Sequence, residues 1–533
     1  MKKLTLLAAF FVLANSAFAG GILTNTNQSA QYVRMLSRNA STQLDAVYFN
    51  PAGLVKMEDG LHLGISNQSI FQTRTITSGF PYLNEGEYIG KITAPVFPDL
   101  FASWKKEKFA LSFMVGPVGG GGGAKYETGL PSFESRIAAI PTLLSLNGVP
   151  TTGYSSDIFF EGTSVFWGVQ LSGSYAINDI ISLAAGVRVN LANNTYNGYL
   201  KDININPNQP AFGAKYNGSL QSAPQFFADA SATLSTWSAG ATAFASGLQP
   251  IVAGGGGEVL LANGTAVGLP AAQVAQIQGL LGAAGLSPAQ IGGINVQTAQ
   301  GTLAAAAPVL ATKAGEMSVY SESTADMEVD TRQTGKGFTP IIGLNISPND
   351  NLNIGIKYEY KTILKLTNDT EVDGTGLFED GKISRSDLPS MLNLGIENKF
   401  SDAFSAQLSL NTFFDKGVNW GGNVYGQERT IDKNSWELSL GLQYNISDNF
   451  AVSIGGMQST SGVSEQYQSD FSYSNSSNTG GFGFEWKVSD ALTLDAGMLY
   501  TIYKDETKQF EGYSETYDKE NIGFAIGLSY SIF

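Results

Sequence analysis

From residue 435 to 446 the chain reads SWELSLGLQYNI, with Trp436, Leu438, Leu440, Leu442, Tyr444 and Ile446 on one face and Ser435, Glu437, Ser439, Gly441, Gln443 and Asn445 on the other. A period of two is a strand with one apolar and one polar side. The same alternation closes the chain, where Ile522, Phe524, Ile526, Leu528, Tyr530 and Ile532 oppose Gly523, Ala525, Gly527, Ser529 and Ser531, and it recurs over 352–360 and 165–177. Strands of a soluble sandwich run about five or six residues. These runs reach from about ten to more than fifteen, the length that crosses a bilayer at a tilt. Their polar faces are mild (Ser, Gly, Asn, Gln), which suits a wet or plugged lumen, and Tyr and Trp recur near their ends, as in an aromatic girdle.

Six short polar joints separate alternating runs: Lys105–Lys108, Asn178-Asp179, Ser347–Asp350, Ser401-Asp402, Ser447–Asn449 and Ser489-Asp490. Six such turns between seven hairpins predict an all-β, 14-stranded antiparallel transmembrane barrel over residues 61–533. Strand 2 is expected at 93–104, strand 3 at 109–118, strand 6 at 319–346 and strand 8 at 387–400.

Three stretches break the alternation. Residues 20–60 are too few for a domain of their own and read as an N-terminal hatch, a plug folded back into the barrel. Residues 201–318, rich in Ala, Gly, Gln and Leu, read as a partly helical extracellular insert. There Val274, Ile277, Leu280 and Leu281 fall on one helical stripe, and Ser287-Pro288 reads as an N-cap followed by proline at the first helical position. The stripe is either the inside of a packed lid or a landing surface for apolar ligands. Third, strand 3 runs into Gly116-Pro117-Val118-Gly119-Gly120-Gly121-Gly122-Gly123. Pro117 has no ladder donor and the glycines have no side chains, so a kink and a gap in the wall are expected there, against a simple bulge or loop start. A phosphate loop is excluded by the continuation Ala124-Lys125-Tyr126 in place of a Gly-Lys-Ser/Thr ending.

Composition narrows the classes. With 31 basic and 46 acidic residues the net charge is −15, which argues against nucleic acid as a partner. One His and no Cys remove most zinc, haem, iron–sulfur and thiol chemistry, and no cofactor is expected. Lys2-Lys3, the apolar run Leu4–Leu13 and Ala17-Phe18-Ala19 read as a secretory signal peptide over 1–19.

The mature start Gly20-Gly21-Ile22-Leu23, the hatch ending Asn50-Pro51-Ala52, the helical insert between strands 5 and 6, Leu388-Pro389-Ser390-Met391 at strand 8 and the terminal Phe533 together resemble the FadL/TodX long-chain fatty-acid transporters of the outer membrane. The segment from Gly20 to Gln28 is similar to starts in the Bacteroidetes branch. The resemblance implies a bacterial outer-membrane location and passive uptake of hydrophobic molecules, most of all long-chain fatty acids. It implies capture on the apolar loop, a pocket near Gly20–Leu23, hatch movement and lateral release through the strand 3 gap. Partners implied are the hydrophobic ligand and outer-membrane lipid or lipopolysaccharide, with the chain acting as a monomer. In the family basic residues meet the ligand carboxylate inside the barrel. Arg188, Lys357 and Lys361 are candidates by inward register.

The principal rival is a general diffusion porin for small polar solutes, which would have a charged constriction and no plug. An enzyme using His62 with a serine lacks a marked partner, and a strand-end His exposed to solvent is the plainer expectation.

Overall fold

A computed structural model describes residues 22–420 and 431–533. The expected signal peptide, Gly20 and Gly21 lie outside the described residues. Fourteen antiparallel strands close into a barrel. They are β1 Gly60–Ser78, β2 Glu87–Lys106, β3 Phe109–Tyr126, β4 Tyr154–Ala176, β5 Ile181–Ile205, β6 Met327–Asn349, β7 (Leu352–Glu359 with Lys365–Asp373), β8 (Ile383–Arg385 with Met391–Lys399), β9 Phe404–Phe413, β10 Ser435–Ser447, β11 Phe450–Thr460, β12 Ser477–Lys487, β13 (Leu492–Tyr503 with Glu506–Phe510) and β14 Tyr513–Ile532. Closure comes from β1 against β14, paired from Leu61↔Ile532 to Ser78↔Glu515.

The alternation is inverted relative to a soluble protein. Leu171, Ile342, Ile454 and Ile526 are each more than half exposed, whereas Ser66, Gln72, Asn190 and Gln407 are buried. Lipid is the solvent for the first set, and the lumen holds the second. Each of the six expected short turns joins two strands. Trp104 and Phe109 flank one of them with ring centroids 6.4 Å apart, part of the girdle at that end.

Several strand boundaries depart from expectation, among them strand 8, expected unbroken over 387–400 but interrupted between Arg385 and Met391. β2 and β3 are longer than 93–104 and 109–118, so the glycine run lies inside β3 rather than after it. β6 begins at Met327, because 319–323 complete a helix. The sequence there gives no turn signal to stop the helix earlier.

By contact density the chain divides into two units: residues through Arg136 with Ile158–Tyr199 and Met327–Phe533, and Ile137–Asp157 with Leu200–Asp326. The first unit contains the barrel wall and the hatch. In the hatch, α1 (Ala30–Met35) is capped by the Ser29 side chain, α2 (Ala46–Phe49) follows, and a 3-10 turn spans Pro51–Lys56. Hatch backbone touches the wall where the wall has no side chain. An added Cβ at Gly441 would stand 2.5 Å from the Met35 carbonyl oxygen, and one at Gly395 would stand 2.5 Å from the Ala40 nitrogen. Wall glycines in otherwise regular strands are thus the seats of the hatch. Charge fixes the fit: Arg34 pairs with Asp495 (2.8 Å) and Glu485 (2.7 Å) of the wall.

In the second unit, α3 (Ile140–Leu146), α4 (Ala223–Ala253), α5 (Ala271–Ala283), α6 (Pro288–Gly293) and α7 (Val296–Ser323) form a helical body. Ser287 caps α6 in a full capping box with Gln290, as its sequence suggests. Serine hydroxyls tie α4 to α7: Ser238 donates to the Ala307 carbonyl (2.7 Å) and Ser231 to that of Ala314 (2.8 Å).

Candidate functional site

The ladder between β2 and β3 is interrupted. Lys106↔Phe109 to Leu100↔Val115 are paired, pairing then stops, and it resumes only at Lys91↔Lys125 and Gly90↔Tyr126. Both edges explain the break. On β3, Gly116, Pro117, Gly119, Gly120, Gly121, Gly122 and Gly123 occupy the stretch, and the β4 register slips at Pro117/Gly119 and Gly119/Gly122. On β2, Pro95 and Pro98 lie in the same interval, each without an N–H to donate. These two prolines are a signal that reading strand 3 alone misses.

The freed edge of β3 pairs with the N-terminal segment instead. Gly120 N donates to the Leu23 carbonyl (2.9 Å), and Asn25 N donates to that of Val118 (3.0 Å), around a Thr24↔Gly119 bridge. The Gln28 side chain reaches the Pro117 carbonyl (3.0 Å). Gly119 is obligatory for this approach, since a Cβ there would stand 2.5 Å from the Leu23 oxygen. Ile22 and Leu23 are fully buried in an apolar cluster with Phe166, Ala192, Leu388 and Trp420. Leu388 is held there by paired hydrogen bonds with Thr362, both 3.0 Å, which bridge the interruptions of β7 and β8.

The hatch motif lies against β4, β5 and β6, the strands that follow β3 around the wall. Asn50 donates to the Leu344 carbonyl (3.0 Å), while the carbonyls of Pro51 and Ala52 accept from Ser174 and Ser182, both at 2.7 Å. Arg188 and Lys357 face inward, as their register implied, and both are buried. Neither stands free. Glu359 pairs with Arg188 and, at 2.7 Å, with Lys357, whose ammonium also donates to the Tyr48 carbonyl (2.7 Å). Arg188 lies against the Tyr48 ring, and among the described residues its Nε and Nη1 have no carboxylate or carbonyl partner. The trio carries one net positive charge, a count that Glu359, missed in sequence, lowers from two. Lys361 is half-buried at the break of β7.

Two expectations need correction. Val274, Ile277 and Leu281 are buried in the helical unit's own core, and Leu280 packs against it, so this stripe builds the unit and offers no landing surface. The apolar room lies elsewhere in that unit: a cavity of about 600 Å³ lined by Leu143, Phe212, Phe226, Trp237, Leu310 and Met317, with Lys313 and Glu316 among its walls. His62 is buried, not exposed, with Nδ1 2.7 Å from the Ser531 hydroxyl and Nε2 2.9 Å from the Glu58 carbonyl. Among the described residues no carboxylate accepts from the imidazole, the contact that a hydrolase triad contains.

A closed fourteen-stranded barrel with an apolar outer face and a seated hatch has the architecture of an outer-membrane β-barrel. Residues 290–532 match the model of the outer membrane protein transport protein family, OMPP1/FadL/TodX. The match takes in 243 of the 533 residues, and over these the chain carries the family's sequence pattern. A FadL homologue of Pseudomonas aeruginosa superposes with a TM-score of 0.55 at 13% identity, covering 96% of this chain and 100% of that one. The toluene transporter TodX of Pseudomonas putida gives 0.50 at 12%, covering 96% and 100%. At these identities the superpositions speak for the fold. No curated protein matches the chain.

Proposed function

We propose that this protein is a passive outer-membrane channel for hydrophobic molecules, long-chain fatty acids foremost, working as a single barrel. The observation that carries the proposal is the missing β2–β3 ladder with the N-terminal segment seated in it. A water-filled pore has no use for a break in its lipid-facing wall, whereas a ligand that avoids water leaves most easily into lipid. Each methylene kept out of water is worth roughly 0.8 kcal/mol. In this reading the helical unit's cavity takes up the ligand first. The acyl chain then replaces Ile22 and Leu23 in their apolar cluster, with the Arg188 Nε and Nη1 donors offered to a carboxylate. Withdrawal of the segment from Pro117–Gly123 opens the wall, and the ligand exits sideways.

The test is flux into proteoliposomes with a lipopolysaccharide outer leaflet, comparing a long-chain fatty acid with a small sugar against empty vesicles. Fatty-acid entry without sugar flux supports the proposal. Sugar flux with no gain for the fatty acid overturns it and makes the protein a diffusion porin.

A further inference from the structure

We propose that Arg74 and Lys519, with Gln72 and Tyr126, form a second lumenal site that binds the carboxylate head of an amphiphile at the end of the wall gap remote from the short turns. The proposal rests on the channel reading above and deepens it. Arg74 on β1 stands directly opposite Lys519 on β14, and on its other side opposite Gly90 of β2, which pairs with Tyr126 where the β2–β3 ladder resumes. Both cations point inward, with 2% and 1% of their surface exposed. Like charges facing each other across strands repel, and burial sharpens the cost.

Among the described residues neither cation has an ion-pair partner. Arg74 Nε donates to Gln72 (3.1 Å), and Lys519 Nζ donates to the Tyr473 carbonyl (3.0 Å). The Tyr473 ring lies beneath both, 5.8 and 4.7 Å from the charged groups. The neighbouring carboxylates are engaged with backbone: Asp518 with Lys519 N (2.6 Å), and Asp470 with Ser132 N (2.9 Å) and Phe471 N (3.0 Å). Arg74 Nη2 and Gln72 Nε2 are buried with no hydrogen-bond partner, and the Tyr126 hydroxyl lies against Arg74 and Tyr473. Two charges and two unused donors converge, and no carboxylate is within ion-pair distance of either cation among the described residues. Buried donors are normally satisfied, and charge-assisted bonds to a carboxylate are the strong way to satisfy these. At the Arg188–Lys357 pair Glu359 already supplies a carboxylate, so the Arg74 site is the stronger attractor for an anion.

The test is equilibrium binding of radiolabelled oleate and methyl oleate to the full chain in lipid nanodiscs. The Arg74→Gln/Lys519→Gln pair should weaken oleate by ~10-fold or more, the loss of one or two charge-assisted bonds, and leave methyl oleate unchanged. Arg74→Lys/Lys519→Arg should restore oleate. Equal binding of oleate by wild type and the Gln pair, or parallel loss of both ligands, overturns the site while leaving the channel reading intact. Wild-type protein that binds neither ligand overturns both. Should the Gln pair fail to assemble, Tyr126→Phe serves: weaker oleate with unchanged ester supports the site, and unchanged oleate overturns it.

Discussion

Replacing Gly119 with Val puts a branched side chain where the Leu23 carbonyl oxygen stands 2.5 Å from an ideal Cβ, with Phe166 at 3.1 Å behind it. The N-terminal segment must then leave β3. Two main-chain bonds go with it, Gly120 N to Leu23 O and Asn25 N to Val118 O, at about 1 kcal/mol each. Ile22 and Leu23 lose their apolar cluster, at roughly 1.5–3 kcal/mol each. Against this total of about 5–8 kcal/mol, freeing four backbone residues returns about 1–2 kcal/mol apiece. The two totals nearly cancel, so the seated segment is held by at most about 4 kcal/mol, weak enough for a ligand to displace. The assay is maleimide labelling of Asn25→Cys, clean because the chain has no cysteine. Asn25 is 1% exposed, so the seated segment should react slowly, and Gly119→Val should raise the rate by ~10- to 100-fold at a net cost of 1.4–2.8 kcal/mol. A folded Gly119→Val protein that labels at the parental rate would refute the reasoning.

Gly441→Leu should unseat the hatch, because its Cβ would meet the Met35 carbonyl at 2.5 Å, whereas Gly456→Leu has nothing within 4 Å and serves as control. Planar-bilayer recordings should show ion conductance for the first variant and not the second. In the helical unit, Trp237→Ala should open the apolar cavity and slow fatty-acid uptake at low ligand concentration, with less effect near saturation. Burial pushes the Asp415 carboxyl up to about 6 against the hydrogen bonds it accepts from Ser435. Its contribution to stability is thus full below the ordinary value of 3.8 and lost as pH rises through about 6. The melting temperature should fall between pH 4 and 7, and Asp415→Asn should flatten that dependence.

The barrel was legible because a strand between lipid and lumen must alternate, and 435–446 or 522–532 does so without interruption. Turn chemistry fixed the strand count for the same local reason. What the alternation could not show is what faces each lumenal side chain. Arg188 and Lys357 were found by register, yet Glu359, two residues from Lys357, was not recognised as the carboxylate both of them meet. The stripe of Val274, Ile277 and Leu281 was read rightly as a helix face, but periodicity does not distinguish a face turned to a core from one turned to a ligand. The glycines at 395 and 441 look like gaps in a strand pattern until the hatch backbone is laid against them. Pro95 and Pro98 were visible all along and gain meaning only opposite the Gly116–Gly123 stretch.

The central claim is that the N-terminal segment must leave β3 for a ligand to pass. Asn25→Cys with Val118→Cys places a removable cross-link where the Asn25 amide meets the Val118 carbonyl at 3.0 Å, in a chain with no other cysteine. Fatty-acid uptake in cells or vesicles would be measured with the pair oxidised and then reduced. The account predicts uptake abolished on oxidation and restored on reduction, with each single cysteine variant unaffected. Full uptake through the oxidised, cross-linked protein would contradict it.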